Sequence, residues 1–228
     1  MDGGPWAGRT VLGLSRSTSL LDRVGVAQGA AGPVTLLEVV GDGGVDVRLV
    51  LGEPAAAPGD VLTAGISAVT RQITATGASR LPEGEPGPGL TVQTVPSATR
   101  EPRLDVRTVA FDVRGEHDLL RHARLFGLRA ASAPDGDHFP GISSVPLTLG
   151  SARQSALARF HAEGFEAAAV NAVAFAAAGV PCLPYRTRRV CVRFHRPFGF
   201  LAVHRTSRLV LAAGWVTEPL AYDSPDHD

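Results

Sequence analysis

Lysine is absent from this sequence of 228 residues, so all 22 fixed cationic side chains are arginine. They are matched by 22 acidic residues, for a formal net charge of zero. A neutral chain has no global field for nucleic acid or an anionic membrane, which excludes both as obvious partners. No apolar run approaches the roughly 20 residues that span a bilayer. The start, Met1-Asp2-Gly3-Gly4-Pro5-Trp6, lacks a basic stretch followed by an apolar one. No signal peptide is therefore encoded, and the chain reads as cytoplasmic as written. Methionine occurs once, as Met1. Two cysteines, Cys182 and Cys191, are too few for a disulfide framework or a four-ligand zinc site. No metal or cofactor is expected.

What is present favours strands. At 44% apolar and 19% charged, the chain is globular. Its 26 glycines and 17 prolines imply many turns. Val11 to Thr18 reads as a strand. Val34 to Val40 and Val45 to Leu51 flank Gly41-Asp42-Gly43-Gly44 and read as a hairpin, with Val45, Val47, Leu49 and Leu51 on one side. Val61, Leu62, Ile66, Val69 and Ile73 recur at helical spacing behind Asp60, a fair N-cap. Leu90 to Val95 and Leu104 to Val113 read as strands. Asp118 caps a short helix carrying Leu119, Leu120, Leu125 and Phe126, with Gly127 as its stop.

Catalytic constellations are missing. Gly13-Leu14-Ser15-Arg16-Ser17 breaks the G-x-S-x-G elbow at its last position. The seven histidines, His117, His122, His138, His161, His195, His204 and His227, form no H-x-H or H-E-x-x-H pair. The chain is not expected to be an enzyme. Arg186, Arg188, Arg189 and Arg193 read as a solvated strand face, with an anion site as the rival. Cys182 and Cys191 flank this strand as structural thiols.

Glu163 to Ala178 supports two readings. Its alanines make it the best helix in the chain, ended by Gly179 and Pro181. With period two, Phe165, Ala167, Ala169, Asn171 and Val173 face one side, and Glu166, Ala168, Val170 and Ala172 the other. That pattern also permits a strand with one nearly uncharged face.

Several segments, in order, carry a resemblance. They are Phe111-Asp112-Val113 through Phe126-Gly127-Leu128, then Phe139-Pro140-Gly141-Ile142-Ser143, then Glu163 to Ala172, then Arg196-Pro197-Phe198-Gly199-Phe200-Leu201, then Leu209 to Pro219. Together they resemble the C-terminal portion of a bacterial-type serpin. The resemblance implies an α+β, β-rich, truncated serpin fold, with sheets B and C, late strands of sheet A and few helices. It implies one domain over residues 4–219 and a flexible acidic tail over 220–228.

The activity so implied is serine-protease inhibition by suicide substrate. Gly164, Phe165, Glu166, Ala167, Ala168, Ala169, Val170, Asn171 and Ala172 would be the reactive-centre hinge. The scissile bond would fall at Ala178-Gly179, with Val180, Leu183 and Tyr185-Arg186 as alternatives. Ala178 would suit an elastase-like or subtilisin-like serine protease. Phe165 stands where the family favours Thr or Ser, and Ala162 where it favours an acid.

The family's early helices and the sheet A strand beside the insertion slot find no match. The expectation is therefore impaired trapping, and a chain that is either monomeric or prone to aggregation through the strand Ser151 to Glu163. The alternatives are a non-inhibitory serpin-derived binding module, or a gene fragment with a misassigned start. If the N-terminus is missing, the family habit implies an extracellular location; the compartment is otherwise left open.

Overall fold

The computed structural model describes residues 5–6, 8–134, 136, 138–161 and 183–222. Among these residues, thirteen strands and one α-helix follow in the order β1 (Gly13–Thr18), β2 (Val24–Gly29), β3 (Gly32–Val40), β4 (Val45–Leu51), α1 (Pro58–Val69), β5 (Ala75–Gly77), β6 (Gly84–Gly87), β7 (Leu90–Ser97), β8 (Arg103–Val109), β9 (Phe111–Asp118), β10 (Arg153–Phe160), β11 (Tyr185–Arg193), β12 (Phe198–His204) and β13 (Val210–Val216). The chain divides into two compact units, residues 1–111 with 160–228, and residues 112–159.

In the first unit, six strands run in the order β13-β12-β4-β3-β2-β5 and five in the order β1-β8-β11-β7-β6. The β3–β4 hairpin forms at the Gly/Asp cluster, where Gly43 and Gly44 take positive φ values of 67° and 80°. Only glycine enters that region at no steric cost. Strand β2 was not visible as a strand, because Gly25 and Gly29 dilute its signal. Gly25 is required by close approach: a Cβ there would lie 2.8 Å from the Thr76 carbonyl oxygen of neighbouring β5.

Helix α1 lies on the six-stranded sheet. Val61, Ala64 and Val69 pack with Val34, Leu36, Val50 and Leu201. Gly65 lets the backbone sit against Val50, which a Cβ would meet at 2.8 Å. The other sheet face meets the five-stranded sheet, where Gly87 abuts Val26 and Thr35, and Gly89 abuts Leu51. Coverage on both faces explains why Leu49, Val50 and Leu51 are all buried. The expected one-sided alternation of β4 fails for that reason.

Three expected boundaries change. The helix starts at Pro58 behind Ala57, so Asp60 lies in its first turn and supplies favourable charge rather than the cap. It ends by Thr70, and Arg71 turns the chain at φ 62°. The span Leu104 to Val113 breaks at Ala110 into β8 and β9, which join different sheets.

In the second unit, β9 and β10 form a two-stranded sheet. Asp118 does cap the turn Leu119–His122, its Oδ1 accepting from the Leu120 amide at 3.0 Å. That turn is 3₁₀, and Leu125 and Phe126 beyond it are exposed.

Candidate functional site

The expected hinge, Gly164 to Ala172, and the expected scissile bond, Ala178-Gly179, lie outside the described residues, as do Ala162 and Cys182. The structure describes the strands on either side of them. On the incoming side, Phe160 ends β10 and stacks on Phe111, with centroids 5.2 Å apart and planes 8° apart. Phe111 in turn stacks on Phe200 at 5.4 Å and meets Phe198 edge-on at 5.8 Å. On the outgoing side, Phe194 follows β11 and meets Phe198 edge-on at 5.1 Å. Trp6 closes the cluster against Phe198 at 6.1 Å, its indole N–H donating to the Thr217 carbonyl at 3.0 Å.

The incoming end of the segment 162–182 is therefore held in this aromatic core at Phe160, and the outgoing end leads into β11, whose far end enters the same core at Phe194. Such rings add about 0.5–1.5 kcal/mol per pair beyond their burial. Sequence reasoning singled out Phe111 in one motif and Phe198 with Phe200 in another. It missed that Phe160 and Phe194 join them, because ring contacts across strands leave no local spacing.

Strand β10 pairs with β9, and among the described residues its other edge has no strand partner. Seven of its eight residues are exposed or half-buried, and Leu157 is 54% exposed. Arg153 and Arg159 stand near its ends, and Arg159 reaches Asp112 on β9 at 3.5 Å. Charge at a free edge discourages pairing with other chains.

Strand β11 is the opposite case. It pairs antiparallel with β7 from Tyr185 to Val192 and parallel with β8 from Arg189 to Arg193. Tyr185 and Arg186 face Ser97 and Pro96 in that ladder, so a cut at their bond would require opening the sheet.

The four arginines of β11 do not form one stripe. Arg188 points inward, donating to the Ala78 carbonyl at 3.0 Å and to that of Leu81. Arg186 reaches the Thr94 carbonyl at 3.4 Å. Arg189 and Arg193 lie on the other face with Cys191, which is a free thiol inside the strand rather than flanking it. Asp105 centres that face. Its carboxylate accepts from Ser17 Oγ at 2.6 Å, Arg103 Nε at 2.6 Å and Arg189 Nε at 2.8 Å. Burial alone would raise its pKa. The hydrogen bonds from Ser17, Arg103 and Arg189 outweigh that and hold it below the ordinary carboxylate range.

No protein-family model and no curated protein sequence matches the chain. Solved structures do. A thermophilic serpin, tengpin, in its native state superposes with a TM-score of 0.57 at 14% identity, over 91% of this chain and 46% of tengpin. The chain forms part of the serpin fold. Human thyroxine-binding globulin in complex with thyroxine gives 0.56 at 17% identity, over 92% and 46%. A serpin from the trematode Schistosoma haematobium gives 0.56 at 13% identity, over 92% and 47%. The chain thus spans about half the length of each serpin-fold structure. Within that fold the Pro197-Phe198-Gly199-Phe200 motif opens β12, and Leu209 to Pro219 contains β13.

Proposed function

We propose that this chain is the loop-bearing part of a serpin-type serine-protease inhibitor, with residues 162–182 as protease bait. The observation that carries this reading is the anchoring of both flanks within a serpin-type fold, β10 through Phe160 in the aromatic core and β11 between β7 and β8 with Phe194 beyond it in the same core. Bait must be accessible between rigid stems, so that cleavage does not release either side. Gly164 to Ala172 would be the hinge and Ala178-Gly179 the cut, presented to an elastase-like or subtilisin-like protease.

Trapping requires the cut hinge to enter a sheet as a new strand. Among the described residues, β10 offers one wall of such a slot. The 228 residues alone therefore act as a substrate, cleaved without retaining the protease. The test is incubation with subtilisin or elastase, followed by denaturing electrophoresis and mass spectrometry. Cleavage within 162–182 with no SDS-resistant complex is expected. Cleavage only elsewhere overturns the bait assignment, and a stable complex overturns the substrate behaviour.

A second reading, a non-inhibitory binding module, is favoured by one observation. The two large sheets and α1 form a buried core that draws no buried residue from 112–159. A chain that resists both proteases within 162–182 yet binds a defined partner supports it.

A further inference from the structure

The outer face of the five-stranded sheet carries four arginines in facing positions. Arg103 stands opposite Arg189, and Arg107 opposite Arg193, across the parallel β8–β11 ladder. Adjacent strands lie about 5 Å apart, and like charges directly opposite each other are destabilising. The first pair is neutralised, because Asp105 binds both Arg103 and Arg189. The second pair is not. Among the described residues, neither Arg107 nor Arg193 has an ion pair or a side-chain hydrogen bond. Both are exposed. Ser15 faces Arg107 from β1. Beside Arg193 lies an open hollow of about 400 Å³, formed with Gly87, Gly89, Thr91, Cys191 and His195, and with Glu85 lining it.

We propose that Arg107 and Arg193 form a docking site for an acidic side chain on an extended segment of a partner polypeptide. Two guanidinium groups at one strand spacing suit one carboxylate, which accepts planar, charge-assisted hydrogen bonds from both. The hollow takes the neighbouring residue of that segment. Glu85 repels a second carboxylate there, so the preferred sequence sets an acidic residue beside a small neutral one.

Nucleic acid fits this face poorly. It draws affinity from a continuous run of neutralised phosphates. Here Asp105 stands two residues before Arg107 on β8, Glu85 lines the hollow beside Arg193, and the chain as a whole is neutral. The site is independent of cleavage within residues 162–182, because Arg107 and Arg193 lie on β8 and β11.

The test uses the full chain and a capped peptide alternating glutamate with glycine, titrated into labelled protein and followed by NMR. Saturable shifts centred on Arg107 and Arg193 are expected, weakening as salt rises from about 50 to about 200 mM. The Arg107→Gln/Arg193→Gln double variant should bind about tenfold more weakly or worse. Arg103→Gln should change affinity less than about threefold, since Asp105 already occupies that side chain. If the double variant misfolds, Arg107→Glu serves instead. It supplies Arg193 with a partner, and should keep the melting temperature while losing the peptide. Three results overturn the proposal: equal binding of the glutamine counterpart, no shifts at millimolar peptide, or tighter binding of a single-stranded oligonucleotide of equal charge.

Discussion

Among the described residues, every buried residue belongs to the unit of residues 1–111 and 160–228, and none to residues 112–159. The first unit stacks α1, a six-stranded sheet and a five-stranded sheet, each covering the next. The second is a two-stranded sheet with turns between its strands, and Leu125, Phe126, Ile142, Val145, Leu147 and Leu157 are exposed. Ordering a residue's backbone costs about 1–2 kcal/mol, which burial must offset. The first unit offsets that cost internally. The second does not, and its apolar side chains have the character of a surface awaiting cover.

The largest expected effect tests the richer side of this comparison. Phe111 is 1% exposed and touches Phe160, Phe198 and Phe200. Phe111→Ala should cost about 3–5 kcal/mol in urea unfolding. It should also speed cleavage of the chain near Phe160, because that stem loses its stacking partner. Leu201→Ala, beneath α1, should cost about 2–5 kcal/mol and leave cleavage near Phe160 unchanged. Equal effects of both variants on that cleavage would sink the claim that the aromatic cluster is what fixes the stem.

A smaller effect appears in acid. Asp46 is buried on β4 and accepts from Arg205 Nη2 at 2.7 Å and Nε at 3.1 Å. The Arg205 hydrogen bonds hold its carboxyl below the ordinary range, as the Ser79 amide and hydroxyl do for Asp22. Asp105 is lowered as well. A depressed folded pKa stabilises the fold above the unfolded value, near 3.9, and the gain is lost as pH falls through the lower folded value. All three carboxylates lie in the first unit. Its stability should therefore be level through neutral pH and decline below about pH 4. Asp46→Asn should flatten part of that decline, measured by urea unfolding at a series of pH values. An unchanged pH profile would remove Asp46 from the account.

These residues also show what was legible beforehand. The β3–β4 hairpin was readable because its turn needs glycine at Gly43 and Gly44, and that need is local. The late strands and the fold family were readable because several motifs kept their order. Strand β2 was not, because Gly25 serves a close approach to β5, a demand set by a neighbour distant in sequence. Asp105 was unmarked for the same reason: besides its strand neighbour Arg103, its partners Ser17 and Arg189 come from two strands distant in sequence. The arginines of β11 looked like one stripe until alternation split them between the two faces of the sheet.

The smallest expected effect tests the poorer side. Leu125 is 79% exposed, beyond the turn that Asp118 caps. A leucine-to-serine change in the first unit's core would be ruinous. Here it should change unfolding free energy by no more than about 0.5 kcal/mol, the usual range for a surface site. Hydrogen exchange supplies the matching observation, since local opening free energies near zero mark segments with few buried contacts. Amides of β9 and β10 should exchange far faster than those of β4 and β12, which are paired on both sides within the core. If Leu125→Ser instead costs as much as Leu201→Ala, or if β10 amides exchange as slowly as those of β12, residues 112–159 are already covered in solution. The apolar side chains exposed there would then be covered by a second copy of the chain.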